Sequence, residues 1–393
     1  MKMNKTVCVV TTSRADYGIL KPFLTRLQKE EMIRLRIVAS GMHLRSEFGN
    51  TYREIINDGF AVHRKIRILS DEDTPEAISK AMGKTLIRFG TYFKQYPPDL
   101  LIVLGDRFEM FAVCSAAVNQ RIPIAHFHGG ETTQGAVDEC YRHSITKMSW
   151  LHFVTCESYR RRVIQLGEDP DRVYNVGALG VENALNGPLV SLAALERDIG
   201  FELQKRPYCV VSFHPATAEH KTAGTQIRAL MEAMDDYPNM RFIATKSNAD
   251  AGGREINHLW DEYVKYRDNV HVVASLGMVK YLSALRGAKA IIGNSSSGIL
   301  EAPTMGVPTV NIGDRQKGRL QAPSVINAEP EKASIINAME RAFSDEFVRI
   351  AREKRSLYGD GNTSRLTVDI IRERLLRGVP DLKKKFYDIM FEV

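Results

Sequence analysis

One segment of the sequence is rich in acids and histidines and directly follows an apolar run, RIPIA. The segment HFHGGETTQGAVDECYRH, from His126 to His143, contains three histidines, three carboxylates and a Gly-Gly pair. Burying several unpaired titratable groups would be costly, so we expect these side chains to face a ligand cleft. Imidazoles and carboxylates placed there can exchange protons with a ligand. The segment is a candidate site of acid–base chemistry. A hydrogen-bonded structural histidine is the alternative for any one of the three rings.

The spacing within this segment separates a strand end from a helix start. His126 and His128 alternate along the strand end, so we expect one ring to face a helix layer and the other a ligand cleft. Glu131 follows the two glycines. The helix that comes next begins with Asp138 and Glu139, and its (i, i+4) spacing places Asp138 over Arg142 and Glu139 over His143.

A serine cluster in the second half of the chain is the strongest binding signal. In GNSSSGILEAPTMGVPTVNIGDRQKGR, from Gly293 to Arg319, a strand ends, two residues turn the chain, and Ser295, Ser296 and Ser297 are expected to start a helix. Backbone N–H groups, hydroxyls and the positive helix end suit a diphosphate, and Glu301 on the same helix could accept from ribose hydroxyls. The alternative is ordinary serine capping. The segment lacks a Walker lysine and GxGxxG spacing, so neither a P-loop nor a dinucleotide-binding fold is indicated.

Polar side chains also follow two strands of the first half. In TTSRADYGILKPF, Arg14 could bind a phosphate with two hydrogen bonds, and Asp16 could cap the helix or contact the substrate. The strand LIVLG ends in Asp106 and Arg107, which are expected to face a ligand. A helix cap for Asp106 and a salt bridge for Arg107 are the structural alternatives.

Two strand ends of the second half carry further candidates. His214 lies just beyond the strand in VSFHPAT, and ATKSNADAGG places Lys246 and Asn248 after the next strand. His214 is expected to face the same cleft as the residues of the first half, and the polar loop with Lys246 and Asn248 is suited to binding a base or a phosphate.

The elements that position these residues are short apolar strands alternating with helices. Runs such as TVCVVTT, RLRIVAS and DLLIVLG lack polar alternation, which is typical of strands buried on both faces. Helices are predicted from about Gly18 to Lys29 and from Ser46 to Asp58. The alternation predicts an α/β protein with two Rossmann-like halves and a central cleft. The expected domains are 1–183, 184–365, and final helices at 366–393 that pack back across the halves.

Composition excludes several other classes of protein. The formal net charge is +7, but the basic residues are scattered and no nucleic-acid motif accompanies them, so no nucleic-acid partner is expected. No stretch approaches the roughly 20 apolar residues of a membrane span, so no membrane association is expected. The five cysteines are odd in number and lack CxxC spacing, which favours a reduced, cytoplasmic protein without a metal site.

Taken together, the motifs resemble the UDP-N-acetylglucosamine 2-epimerase family over nearly the whole chain. The matching segments are TSRADYGIL, LGDRFEMF, HFHGGETT with DECYRHSITK, FHPAT, and IGNSSSGILEAP with NIGDRQKGR. The GDR, HGGE and RHSITK forms look most like the hydrolysing branch, which makes free N-acetylmannosamine for sialic acid synthesis. The resemblance implies a fold of the glycosyltransferase-B type.

The resemblance also implies a reaction course. A base removes the C2 proton while UDP leaves from C1, which gives a 2-acetamidoglucal. Water then adds at C1, and a proton returns to the opposite face of C2. Negative charge develops on the departing diphosphate, so the phosphate donors matter as much as the base. No cofactor and no metal are implied, because the chemistry needs neither hydride nor Lewis acid. A homo-oligomer, a dimer or a tetramer, is expected.

Roles carry over by motif, residue by residue. Asp106, Glu131 and Asp138 resemble the acid–base set. Many relatives carry Glu where this chain has His128, so the choice of base among His128, Glu131 and Asp138 stays open. The resemblance places Arg14, His214, Ser295 and Ser296 on the diphosphate, Glu301 on the ribose and Arg319 at the uridine end. The other predicted UDP-sugar contacts are Asp16, Arg107, Arg142, His143, Lys246 and Asn248.

Three alternative functions stay open at this point. The first is hydrolytic epimerisation of a UDP-2,4-diacetamido-2,4,6-trideoxyhexose for legionaminic acid, since the two sugars differ only at C4 and C6. The second is a retaining glycosyltransferase, which would need an acceptor groove and no acids around C2. The third is a non-catalytic UDP-sugar sensor, against which Asp106, Glu131 and Asp138 argue.

Overall fold

A computed structural model describes residues 5–70, 72, 74–134, 136–216, 222–247, 252–378 and 381–390. The chain divides into two compact units. Unit 1 is built from described residues of Met1–Glu131, Asp138–Glu182 and Tyr358–Val393, and unit 2 from those of Thr132–Val137 and Asn183–Leu357. None of the helices found in the described ranges is both long enough and apolar enough to cross a membrane.

The strands and helices alternate along the chain as the apolar runs predict. The strands are β1 (Lys5–Thr11), β2 (Ile33–Ser40), β3 (Val62–Ile66), β4 (Leu100–Leu104), β5 (Ile124–Phe127), β6 (Leu151–Val154), β7 (Val173–Asn175), β8 (Tyr208–Ser212), β9 (Arg241–Thr245), β10 (Val270–Val273), β11 (Ile291–Gly293), β12 (Thr309–Ile312) and β13 (Val325–Ala328). The helices are α1 (Arg14–Leu27), α2 (Tyr52–Asn57), α3 (Pro75–Gln95), α4 (Phe108–Asn119), α5 (Asp138–Met148), α6 (Glu157–Gln165), α7 (Leu179–Asn186), α8 (Leu192–Ile199), α9 (Ala223–Asp235), α10 (Gly253–Tyr263), α11 (Gly277–Gly287), α12 (Ser297–Met305), α13 (Lys332–Phe343), α14 (Asp345–Arg352) and α15 (Thr363–Leu376).

Each unit contains one parallel sheet. The described strands of unit 1 form a seven-stranded sheet in the order β3-β2-β1-β4-β5-β6-β7. Those of unit 2 form a six-stranded sheet in the order β10-β9-β8-β11-β12-β13. In both sheets the chain runs outward from a central strand, first to one side and then to the other. Ligands of such sheets bind beyond the carboxyl ends of the strands where the direction reverses, which is beside β1 and β4 in unit 1 and beside β8 and β11 in unit 2.

The cores explain why the strand sequences lack polar alternation. Along β1, Val7 and Val9 face one apolar cluster, while Cys8 and Val10 face another on the opposite side of the sheet. Helix α15 packs on the first of these clusters through Ile371 and Leu375, alongside α1. Both faces of the sheet are therefore covered, as parallel sheets require.

One predicted helix is wrong in its extent. The expected helix from Ser46 to Asp58 is a short 3-10 turn at Ser46–Phe48 followed by α2 from Tyr52. Gly49 and Asn50 between them have φ of 85° and 49°, in the left-handed region that ends a right-handed helix. The helix predicted from about Gly18 begins earlier, at Arg14, because Ser13 caps it.

Candidate functional site

Asp106 lies beyond the carboxyl end of β4, where the strand order of the unit 1 sheet changes direction between β1 and β4. It follows β4 and Gly105, whose φ of 78° turns the chain away from the sheet. Helix α4 begins after its N-cap Arg107, so the alternative in which Asp106 caps that helix is wrong. The Asp106 carboxylate, about a quarter exposed, instead meets Arg142 of α5.

Arg142 is a buried cation that joins Asp106 to the segment from His126 to His143. Its Nε donates to Asp106 Oδ2 at 2.8 Å, its Nη2 donates to the same oxygen, and its Nη1 donates to the Glu131 carbonyl oxygen at 2.9 Å and to the Glu139 carboxylate. Burial lowers the pKa of Arg142, but the carboxylates of Asp106, Glu131 and Glu139 outweigh it, so the pKa is raised overall. The guanidinium therefore stays charged and fixes the position of Asp106.

Glu131 lies beneath the surface and contacts a histidine and a threonine. Its side chain is 1% exposed. Oε1 of Glu131 lies 3.0 Å from His128 Nδ1 and accepts a hydrogen bond from the Thr155 hydroxyl at 3.2 Å. The three residues come from the loop after β5 and from the residue after β6, two strands that are neighbours in the sheet. The structure thus brings Glu131 and His128 together.

His126 has a structural role. Its ring is fully buried, with Nε2 2.8 Å from the Gly105 carbonyl oxygen and Nδ1 3.4 Å from the Thr146 hydroxyl. Burial lowers the pKa of His126 to about 3, so the ring is neutral. His126 therefore supports the turn that presents Asp106.

Asp138 and His143 lie on α5 beside Arg142. Asp138 opens the helix and is partly exposed. His143 Nε2 lies 3.1 Å from Glu139 Oε1, which confirms the (i, i+4) pair predicted from spacing. Glu139 thereby contacts both Arg142 and His143.

The other predicted residues of unit 1 have partners close in sequence or on a neighbouring helix. Asp16 caps α1: its Oδ2 accepts from the Ser13 amide at 3.1 Å, and Ser13 Oγ accepts from the Asp16 amide at 3.2 Å. Arg14 lies 3.5 Å from the Glu54 carboxylate. Arg107 donates to both oxygens of Glu109, at 3.1 and 3.3 Å. The capping and salt-bridge alternatives are therefore confirmed for Asp16 and Arg107, and substrate contacts of all three stay predictions.

His214 lies beyond the carboxyl end of β8, where the strand order of the unit 2 sheet changes direction between β8 and β11. Asn294, just after β11, accepts from the His214 amide and donates to the His214 carbonyl oxygen, both at 2.8 Å. His214 Nδ1 lies 3.2 Å from the Ser247 hydroxyl and its Nε2 lies 3.4 Å from the Ser212 hydroxyl. The ends of β8, β9 and β11 are thus tied together around the imidazole.

The serine cluster has the geometry of an open helix start. Gly293 has φ of 135°, and a Cβ at this position would lie 2.1 Å from the Ser212 carbonyl oxygen, so only glycine fits. Ser296 is the N-cap of α12, yet its side chain makes no capping hydrogen bond within the described residues. Ser295 and Ser296 are partly exposed, while Glu301 is buried on the same helix. The Ser296 hydroxyl is therefore not used as an ordinary cap.

The remaining predicted residues of unit 2 are dispersed. Lys246 pairs with Asp261 at 2.7 Å at the surface, and Asn248 lies outside the described residues. Arg319 is partly buried after the turn at Asp314–Gln316, where Gln316 donates to the Asn294 carbonyl oxygen at 2.9 Å.

Sequence reasoning missed two residues of these clusters. Thr155 follows β6, and its position at the end of a strand next to β5 is the signal that could have identified it. Gln316 is 1% exposed and supports the Asn294 turn, but nothing in its local sequence marks it.

Comparison with known proteins settles the family. The family model described as UDP-N-acetylglucosamine 2-epimerase matches residues 25–372. The chain belongs to the UDP-N-acetylglucosamine 2-epimerase family. The predicted family is thus confirmed, and with it an enzyme that acts on a nucleotide sugar.

Two relatives and one solved structure of this epimerase family illustrate the similarity. The GDP/UDP-N,N'-diacetylbacillosamine 2-epimerase (hydrolyzing) of Campylobacter jejuni is 39% identical over 340 residues, 86% of each chain. Polysialic acid biosynthesis protein P7 of Escherichia coli is 38% identical over 390 residues, 98% of each chain. The UDP-GlcNAc 2-epimerase of Neisseria meningitidis, solved with UDP-GlcNAc, matches with a TM-score of 0.80 at 18% identity, over 95% of this chain and 100% of the other. That likeness confirms the predicted fold class, two Rossmann-like parallel sheets of the glycosyltransferase-B type.

Proposed function

We propose that this protein is a hydrolysing 2-epimerase that converts UDP-GlcNAc and water to N-acetylmannosamine and UDP. N-acetylmannosamine would then serve sialic acid synthesis, the kind of pathway that the name of the Escherichia coli relative indicates. The observation that carries the proposal is the cluster of proton-handling groups at the ends of β4 and β5, where Arg142 joins Asp106 to the Glu131 loop. A glycosyltransferase has no use for such a cluster around C2.

The proposed chemistry assigns proton transfer to unit 1. Removal of the C2 proton and loss of UDP from C1 leave a 2-acetamidoglucal, and hydration at C1 with proton return to the other face of C2 completes the inversion. Two faces of the sugar require at least two proton-handling groups. Asp106, Glu131, His128 and Asp138 are the set from which they are drawn. Arg142 and Glu139 hold part of this set in place rather than exchanging protons themselves.

The proposed chemistry assigns the UDP portion to unit 2. Ser295, Ser296 and the amides at the start of α12 are donors for the diphosphate, and His214 adds a further donor at the adjacent strand end. Glu301 of the same helix would accept from the ribose, and Arg319 would support the uridine end. Donors aimed at the departing phosphate oxygens stabilise the charge that develops there, so they contribute to rate as well as to binding.

A second substrate is favoured by a specific comparison. The Campylobacter jejuni relative is named for a diacetylated bacillosamine and matches this chain as well as the polysialic acid protein does. UDP-2,4-diacetamido-2,4,6-trideoxyhexose is therefore the second candidate. The diphosphate-binding residues would serve either substrate, because the two sugars differ at C4 and C6 only.

One assay tests the function and separates the two substrates. The purified protein is incubated in D₂O with each sugar nucleotide in turn, and the products are followed by NMR. We expect UDP release together with a free 2-epimerised sugar that carries deuterium at C2. Release of UDP with retained protium at C2 would contradict the elimination mechanism, and inertness toward both nucleotides would refute the proposed function.

A further inference from the structure

The backbone of His128 has an unusual conformation. Its φ is 68°, in the left-handed region that non-glycine residues rarely occupy. The His128 amide donates to the Phe153 carbonyl oxygen at 3.0 Å, which holds the chain in this conformation. Gly130, two residues on, has φ of 76°, and a Cβ there would lie 2.5 Å from the Tyr159 carbonyl oxygen. Such strain persists where the surroundings enforce it, and it is concentrated at functional sites.

The partner of the ring defines which nitrogen carries the proton. His128 Nδ1 lies 3.0 Å from Glu131 Oε1, and that same oxygen accepts from the Thr155 hydroxyl at 3.2 Å. An ionised carboxylate only accepts hydrogen bonds, so this contact requires an N–H on Nδ1 and favours the Nδ1–H tautomer when the ring is neutral. The lone pair of the ring is therefore on Nε2.

The Nε2 atom of His128 has no hydrogen-bond partner among the described residues, although it is shielded from solvent. The ring of His126, two residues earlier, differs, because both of its nitrogens contact hydrogen-bonding groups. Nδ1 of His143 and Nδ1 of His152 also lack a partner among the described residues, but of these three histidines only His128 has a backbone with positive φ. Leaving a buried acceptor unsatisfied is costly, and its coincidence with this backbone conformation points to a functional reason at His128.

We propose that His128 is the base that removes the C2 proton, and that Glu131 is a positioning residue that acts through it. This inference rests on the proposed function and resolves the choice that the sequence leaves open. The C2–H bond breaks and its proton passes to Nε2. The electron pair forms the C1=C2 double bond as the C1–O bond breaks, and the pair of that bond leaves with UDP. The imidazolium that results is stabilised by the Glu131 carboxylate at Nδ1.

The first test measures the tautomer of the His128 ring and requires no activity assay. Two-bond nitrogen–proton spectra of the protein labelled with isotope-enriched histidine report the tautomer of each of its ten histidines, and loss of one signal set in His128→Gln assigns that ring. We expect the Nδ1–H tautomer for His128. In Glu131→Gln the amide can donate to Nδ1, so a shift toward the Nε2–H tautomer is expected. An Nε2–H tautomer in the wild-type protein would overturn the proposal.

The second test compares turnover among the variants. His128→Gln is expected to lower kcat by roughly 10³-fold, within the range for loss of a positioned base, with unchanged UDP affinity by calorimetry. Glu131→Gln should lower kcat less, by roughly 10- to 100-fold, with KM nearly unchanged, since it disturbs the base rather than removing it. His258→Gln, at an exposed position of α10, is the matched control and should match the wild type.

The outcomes separate this proposal from the proposed function. If the wild type turns over a UDP-sugar and His128→Gln keeps kcat within about threefold, only the assignment of the base is wrong. If Glu131→Gln is the more damaging change while the His128 tautomer is unaltered, Glu131 is the base. If the wild type acts on neither sugar nucleotide, the proposed function fails, and the assignment of the base fails with it.

Discussion

Replacing Arg142 by Met should destabilise unit 1 strongly. The side chain is buried, and its guanidinium donates to Asp106, to Glu139 and to the Glu131 carbonyl oxygen. Met fills a similar volume but removes the charge and every donor. Two carboxylates would then lie close together without the cation that pairs with both.

The magnitude follows from the burial of the pair. Breaking a buried ion pair by removing one partner costs about 3–5 kcal/mol, because an uncompensated charge is left behind. Asp106 and Glu139 keep about a quarter of their side-chain surface exposed, so water can solvate them in part. We therefore expect the lower end of that range, about 3 kcal/mol. Arg142→Lys keeps the charge but loses the paired hydrogen bonds to Asp106, and should fall between wild type and Arg142→Met.

The two tryptophans of the chain make the measurement specific to unit 1. Trp150 is buried in unit 1 and Trp260 in unit 2, so a Trp260→Phe background leaves Trp150 as the reporter. Urea unfolding is followed by fluorescence with and without the Arg142 change. Arg161→Met, at a position 80% exposed on α6, is the control and should shift stability by about 0.5 kcal/mol or less. A cost below about 1 kcal/mol for Arg142→Met would refute the view that this cation holds Asp106, Glu139 and the Glu131 loop in place.

Three further predictions concern the helix start, the turn before it and the C-terminal segment. Ser296→Ala removes a hydroxyl but no backbone donor, so it should weaken UDP binding by about 1–2 kcal/mol in calorimetry; unchanged affinity would place the diphosphate elsewhere. Gly293→Ala forces a Cβ against the carbonyl oxygen of β8 at positive φ and should cost about 3 kcal/mol or more in urea unfolding, whereas Gly83→Ala in α3, with open space around it, should be neutral or stabilising. Burial raises the pKa of Glu168, but hydrogen bonds from a histidine and two lysines, one of them Lys384, outweigh it and lower the pKa to about 2. Because the folded pKa lies below the ordinary value, this carboxylate stabilises the fold above about pH 4.5 and loses that effect as pH falls toward 2. Lys384→Met should therefore move acid unfolding, followed by circular dichroism, to higher pH, and an unchanged midpoint would contradict the contact.

Local patterns in the sequence determined the elements and several pairs within them. Apolar strands buried on both faces predicted two parallel α/β units, because only strands covered by helices on both sides can be apolar throughout. The Ser13–Asp16 spacing determined the cap of α1, and the spacing of Glu139 and His143 determined their pair. These features depend on contacts within one helical turn, which the sequence specifies directly. The predicted helix from Ser46 failed for the opposite reason, since the left-handed conformations of Gly49 and Asn50 depend on the surrounding fold.

Contacts between distant residues were decided by the tertiary structure. Arg142 meets Asp106, 36 residues earlier, and His214 meets Asn294, 80 residues later. The sequence indicated Arg142 and Asp106 as candidates, but it could not show that one guanidinium joins Asp106, Glu139 and the Glu131 loop. Nor could it show that Glu131 contacts Nδ1 of the His128 ring, or that no described residue contacts the Nε2 atom of that ring. Strand order decides which strand ends are neighbours, and the packing of each helix on the sheet decides which side chains reach them. Both depend on the whole core rather than on any local segment.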